Sequence, residues 1–133
     1  MFDRWIEDGL LDVLFDEEIG CIVFSPLAQG QLTNRYLKGI PTDARASKTE
    51  RVWLTPRDVE TNLPKVKKLN DLAQSRGQSL AQMAIAWTLR KPVVTSSLIG
   101  ASSVRQLEDS LAALNNLKFS DEELNQIEKI LQS

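Results

Sequence analysis

The chain has 133 residues, 42% hydrophobic and 26% charged, which is the composition of a folded domain or part of one and excludes a disordered segment. Sixteen basic against eighteen acidic residues give a net charge of −2, so no global basic field recommends nucleic acid or an anionic membrane as a partner. A single cysteine excludes an internal disulfide; with no signal pattern and no apolar run near about 18 residues, a cytoplasmic protein without a membrane span is expected.

Phe2, Trp5 and Ile6 stand among charges at spacings of three and four, predicting a short helical turn that Gly9 interrupts. Leu10, Leu11, Val13 and Leu14 predict a helix ending near Glu18. Cys21 to Phe24 is a short apolar run without alternation, which suits a strand buried on both faces as in a parallel sheet, with Cys21 a plain buried thiol. Pro26 ends it, because proline has no N–H to give a central ladder. The strand therefore delivers a small, hydroxyl-bearing, glycine-containing loop at its C-terminal end, where parallel α/β proteins bind ligands. Thr33 to Leu37 reads as a turn of helix closed by Gly39-Ile40-Pro41. Thr42 to Leu54 reads as a long mobile loop carrying Arg45, Lys48 and Arg51, pinned at its far end by Trp53.

Thr55-Pro56-Arg57-Asp58 is a helix start, with threonine as N-cap and proline at the first helical position. Pro64 predicts a kink there or a restart near Asn62. Val66, Leu69, Leu72 and Ala73 make its apolar face, and Gly77 closes it. Ser79 and Gln82 form a capping box for a helix that is apolar on most of its circumference and therefore buried; Lys91-Pro92 stops it. Val93 to Ile99 is a second strand, followed by Gly100-Ala101-Ser102-Ser103 and a helix from about Val104 to Leu114. Ser120 and Glu123 box the start of the last helix, which runs to about Leu131 with Leu124, Ile127 and Leu131 inward. Two strands joined by a long helical crossover should be parallel and connected right-handedly, so the class is α/β.

Both strands end in small residues, hydroxyls and a glycine, and the second opens directly into a helix whose first N–H groups can accept an anion. Val104, Leu107, Leu111 and Leu114 read as the core face of that helix. Ser102, Gln106, Asp109 and Ser110 form a polar line running back from the strand end. Gln and Asp in such a line can bond ribose hydroxyls and adenine edges; the blander reading is a solvated helix face. A helix-turn-helix reading of the segment around Gly77 fails, because Ser79 to Leu89 carries no basic residue and lacks a polar face to read bases.

Three tracts in order, SPLAQGQLTNRYLKGIPTDAR, the region around RGQSLAQMAIAW, and SSLIGASSVRQLEDSLAALNN, resemble the C-terminal part of aldo-keto reductases of the bacterial glyceraldehyde-3-phosphate reductase and potassium-channel β-subunit type. The resemblance covers nearly the whole chain. It implies that residues 1–133 are one partial domain of a (β/α)8 TIM barrel, that its strands are the seventh and eighth, and that the family's activity is NADPH-dependent reduction of aldehydes or ketones by hydride transfer.

By position, the resemblance implies that Ser25, Pro26, Leu27, Ala28 and Gly30 lie along the pyrophosphate and nicotinamide ribose of NADPH. Arg35 and Arg45 would hold phosphates, Arg35 standing where the family has lysine. Gly100, Ala101 and Ser102 would cradle the adenosine phosphate end, and Gln106 would reach the 2′-phosphate ribose. Asp109 and Ser110 stand where the family favours Glu-Asn at the adenine, and Gln31 and Asn34 replace an apolar residue and a glycine. The family's Asp-Tyr-Lys-His tetrad belongs to the other part of the barrel. This chain has no histidine, and Tyr36, its one tyrosine, reads as a packing residue, so neither a catalytic nor a metal-ligating residue is assigned. A closed barrel takes eight strands and about 250 residues, so two strands cannot close one. The expectations are a cofactor-binding part inactive alone, with a chain supplying the missing barrel half or self-association as its macromolecular contact. The alternatives are a non-catalytic nucleotide-binding or partner-binding module and the remnant of a truncated gene.

Overall fold

The computed structural model describes residues 1–42 and 54–133; the expected loop, with Arg45 and Trp53, falls outside the described residues. A 3-10 turn at Trp5–Glu7 leads through Gly9, at a φ of 87°, into α1 (Leu10–Asp16) and then β1 (Cys21–Phe24). Two further 3-10 turns, Ala28–Gly30 and Asn34–Tyr36, follow the strand. Then come α2 (Pro56–Ser75), α3 (Leu80–Thr88), β2 (Val94–Leu98), α4 (Val104–Leu111), a 3-10 turn at Ala112–Asn115, and α5 (Asp121–Gln132). The two strands are parallel and joined through α2 and α3, as the crossover pattern predicts. Among the described residues no helix is long and apolar enough to cross a membrane.

Local chemistry sets the helix ends. Thr55, Ser79 and Ser120 each accept from the backbone N–H three residues on, and Asp58, Gln82 and Glu123 reach back to the cap's own N–H. Each cap contributes about 1 kcal/mol by satisfying otherwise orphaned donors. At the other end of α2, Gly77 takes a φ of 69°; its N–H bonds the Gln74 carbonyl and that of Gln78 bonds Ala73. These are the paired bonds that terminate a helix on a left-handed residue. The helix continues through Pro64 without restarting, because the carbonyl that proline leaves without an intrahelical donor belongs to Glu60, an exposed residue open to water.

The core lies between α2, α3 and α5. Leu69, Ala73, Met83 and Ala84 have no exposed surface, and Ile127 and the loop residue Leu32 close around them. Tyr36 is buried with Leu54 and Val59 in a smaller cluster, in keeping with its reading as a packing residue.

Two burial expectations are corrected. The strands are covered on one face and open on the other: Ile22 and Phe24 are 68% and 78% exposed, and Leu98 beside Phe24 is also exposed. On the covered face Thr88 of α3 donates to Ser97 across 3.2 Å, whereas no described element packs on Ile22 and Phe24. Cys21 is accordingly half-buried. The second correction is the helix after β2, whose supposed core face of Val104, Leu107 and Leu111 in α4 and Leu114 in the following 3-10 turn points outward, while Asp109 turns towards α3 and Ser110 is buried. The physical reason is that α3 presents Gln82 at this contact, a donor that an apolar stripe could not satisfy.

Two guanidinium clamps tie distant segments to this core. Arg76, its side chain only 2% exposed, pairs with Glu123, donates to the Lys118 carbonyl at 2.9 Å and lies 3.8 Å over the Phe119 ring. Arg90 lies 3.5 Å over the Trp87 ring and pairs with Glu7, which Arg4 also holds while reaching Glu128. Burial acts to raise the Glu7 carboxyl, but hydrogen bonds from Arg4 and Arg90 outweigh it and hold the group below its usual range.

Arg76→Ala should destabilise the chain by roughly 2 kcal/mol, since it removes the buried guanidinium that donates to both the Glu123 carboxylate and the Lys118 carbonyl; Arg76→Lys, which keeps charge but loses the planar stack, should recover part of this in urea melts. For Glu7, a folded-state value below the unfolded one means that its stabilisation is present above about pH 4.3, the ordinary glutamate value, and is lost as pH falls through the depressed value. The acid-side decline in melting temperature should therefore be shallower in Glu7→Gln than in the unsubstituted chain, and parallel declines would contradict the assignment.

Candidate functional site

Register brings the two strand ends together. Phe24 is paired with Leu98, so Ser25 and Ile99 leave the sheet side by side at its C-terminal edge. This juxtaposition unites the Ser25–Gly30 loop with the Gly100–Ser102 turn, two tracts far apart in sequence.

The first loop departs from ordinary backbone geometry at once. Ser25, Ala28 and Gln29 take φ values of 52°, 46° and 57°, and Gly30 follows at 97°. For residues with a Cβ this left-handed region costs about 1–2 kcal/mol each. The surroundings over-determine the shape: the Ala28 N–H bonds the Ser25 carbonyl at 2.9 Å, the Gly30 N–H bonds Leu27 at 2.9 Å, and Thr33 Oγ1 donates to the Gly30 carbonyl at 2.7 Å. Pro26 and Leu32 are buried and anchor the loop, while Ser25 is exposed at the edge. Gln31, which stands in place of an apolar residue, is buried and its Oε1 accepts from Asn62 Nδ2 of α2 at 2.9 Å. The polar substitution is thus satisfied inside the fold. Asn34 is exposed, and Thr33 accepts from the Arg35 N–H to start the short turn that carries the Arg35 side chain at the surface.

At the second strand end, Gly100, Ala101 and Ser102 are all exposed. A Cβ at Gly100 would meet nothing within 4 Å, so the glycine leaves open space rather than relieving a clash. Ser103 caps α4 by accepting from the Gln106 N–H, and Gln106 Oε1 accepts from both the N–H and the Oγ of Ser102 at 2.9 Å. These two residues tie the turn to the first turn of α4 and stay exposed.

The polar line divides beyond this point. Asp109 accepts from Gln82 Nε2 at 2.7 Å and from Ser79 Oγ at 3.3 Å, and Ser110 is buried. Ser102 and Gln106 therefore stand at the strand ends, whereas Asp109 is turned onto the start of α3 and Ser110 is buried. Sequence reasoning did not find the Gln82–Asp109 contact. Its signal was the capping box, which uses only the Gln82 carbonyl oxygen and leaves the amide nitrogen free to donate elsewhere. Arg45 lies outside the described residues. Taken together, the C-terminal edge of the sheet carries small residues from two loops, with Ser25, Gly100, Ala101 and Ser102 exposed.

Comparison with known proteins bears on the family and the fold. The aldo/keto reductase family model matches residues 1–132. Over 133 residues the chain is 50% identical to L-glyceraldehyde 3-phosphate reductase of Escherichia coli K12, covering 97% of this chain and 38% of that protein. It is 36% identical to a probable voltage-gated potassium channel subunit beta of Oryza sativa subsp. japonica, covering 96% of this chain and 40% of that protein. Among solved structures, a glycerol dehydrogenase from Gluconobacter oxydans superposes with a TM-score of 0.78 at 24% identity, over 98% of this chain and 39% of that one. The holo form of an aldo-keto reductase from Bacillus halodurans superposes with a TM-score of 0.65 at 22% identity, over 97% and 39%. The chain thus spans about two fifths of the length of the relatives it matches. It belongs to the aldo/keto reductase family, as a C-terminal portion of that family's TIM barrel.

Proposed function

We propose that residues 1–133 are the NADPH-binding part of an aldo-keto reductase, an oxidoreductase that reduces aldehydes or ketones, and that this part alone has no reductase activity. The observation that carries the reading is the pairing of Phe24 with Leu98, which sets the Ser25–Gly30 loop beside the Gly100–Ser102 turn.

The chemistry of this edge fits a dinucleotide along most of its length. Ser25, Pro26, Leu27, Ala28 and Gly30 would lie along the pyrophosphate and nicotinamide ribose, with Arg35 and Arg45 on phosphate oxygens. Gly100, Ala101 and Ser102 would receive the adenosine phosphate end at the start of α4, and Gln106 would face the phosphorylated ribose. The fit weakens at the base, because Asp109 is engaged by Gln82 and Ser110 is buried. When bound, NADPH supplies the hydride; the residues of this chain contribute binding and orientation. Proton donation needs a titratable group at the substrate, and neither histidine nor an exposed tyrosine is available here. A polypeptide supplying the rest of the barrel, or self-association, is the macromolecular contact this reading implies. The absence of a histidine and of an exposed tyrosine favours, as a second reading, a non-catalytic nucleotide-binding module.

Calorimetry should show NADPH bound more tightly than NADH, and Arg35→Ala should weaken both about tenfold, the loss of one charge-assisted contact. Equal affinity for the two, or none in a folded sample, would overturn the cofactor reading. NADPH oxidation with a panel of aldehydes should show no turnover by the chain alone; a rate near 1 s⁻¹ or above, ordinary for an enzyme, would refute inactivity.

A further inference from the structure

The two strands differ in regularity. β1 alternates as a strand should, with Cys21 and Val23 half-buried and Ile22 and Phe24 exposed. β2 does not. Val94 is buried, and Ser97, which accepts from Thr88 of α3, lies on the same covered face three residues on. Strict alternation puts residues at that spacing on opposite faces. The ladder carries the matching step: Cys21 pairs with Val94, but Ile22 pairs with Ser96, so Thr95 is an extra residue of β2 with no partner on β1. This is a bulge, the device by which one strand gains a residue on its neighbour. An unbroken register from the Cys21–Val94 pair would set Phe24 beside Ser97 and turn Leu98 inward. The bulge sets Phe24 beside Leu98 instead, a change of one residue or about 3.3 Å at the strand ends.

Two residues hold the extra one in place. Thr95 Oγ1 donates to the Cys21 carbonyl at 3.2 Å and so ties the bulge across to β1 at the step. Gly20 leaves the room for it. A Cβ at Gly20 would lie 2.7 Å from Thr95 Cγ2 and 3.1 Å from its Oγ1, well inside carbon contact distance. We infer that Gly20 and Thr95 are a positioning pair for the C-terminal edge of the sheet. They lie at the opposite, N-terminal end, with all of β1 between Gly20 and Ser25, and act through register: the step they fix decides which residues of the Ser25–Gly30 loop and the Gly100–Ser102 turn become neighbours. The inference rests on the dinucleotide reading for what that edge binds; the register does not depend on it.

The test reads register and binding separately. In a Cys21→Ala background, Phe24→Cys with Leu98→Cys places two thiols at paired, exposed positions and should oxidise to a disulfide, whereas Phe24→Cys with Ser97→Cys should not. Adding Gly20→Ala should lower the first cross-link at least about fivefold. In the chain without the paired thiols, Gly20→Ala should weaken NADPH in calorimetry about tenfold, the loss of roughly one well-placed contact. Thr95→Ser removes Cγ2 and keeps the hydroxyl, so Gly20→Ala/Thr95→Ser should regain both the cross-link and the affinity, which a general loss of stability would not do. If Gly20→Ala fails to fold, Thr95→Val carries the test: it keeps the branched shape, loses the bond to Cys21, and should lower both readouts. Cross-linking unchanged by Gly20→Ala or Thr95→Val, losses that Thr95→Ser does not reverse, or equal cross-linking of positions 97 and 98 in the otherwise unsubstituted chain would overturn the inference. So would loss of the cross-link with NADPH affinity kept. The expected cross-links and rescue, without NADPH binding by the unsubstituted chain, would support the register assignment and refute the cofactor reading.

Discussion

Everything in this chain leans on the burial of α3. Seven of its nine residues are buried, and α2, α4, β2 and the 3-10 turn after α4 all pack against it. A helix of this kind has no solvent face to spend on charge, which is why its sequence is alanine, leucine, methionine, isoleucine and tryptophan almost throughout. Its two polar residues that bond to neighbouring elements, Gln82 and Thr88, are both put to work. Gln82 closes the capping box and holds Asp109, and Thr88 reaches Ser97 on the sheet. The position of the strand ends follows from this packing, since β2 lies on α3 and β1 lies on β2.

Order, type and ends of the elements were legible because they depend on neighbours in sequence. Three capping boxes, Gly77 and the apolar run Cys21–Phe24 are all local signals, and each appears where it was read. The inward or outward sense of an amphipathic helix is not local. For α4, apolar residues at the right spacing mark a packing face, but the sequence does not say whether the surface they pack on lies within the described fold. The same holds for Ile22 and Phe24, on whose side of the sheet no described element packs. Pro64 is a third case, where position on an exposed side of α2 decided between a break and continuity.

At the strand ends the division falls differently. The small residues of both loops were visible in the sequence, and their juxtaposition followed from parallel pairing. The left-handed run through Ala28, Gln29 and Gly30 was not, because alanine and glutamine carry no preference for that geometry; it is imposed by the anchors Pro26 and Leu32 and by the Thr33 hydroxyl. Nor did spacing reveal that Asp109 and Ser110 serve the interior. Side chains that can bind a nucleotide can also bind a neighbouring helix, and only the contact with Gln82 distinguishes the two uses.

The parallel pairing of β1 with β2 also bears on the order in which the chain assembles. The ladder from Cys21 to Phe24 meets its partner only after α2 and α3 have been laid down between them. Closing so long a loop is entropically costly, and a short ladder returns little for it until the intervening helices have docked. The helices carry their own start and stop signals and can form early, whereas the sheet must wait for them. The two loops at its C-terminal edge are neighbours only while that ladder is formed, so the platform depends on the docking of α2 and α3 as much as on its own turns.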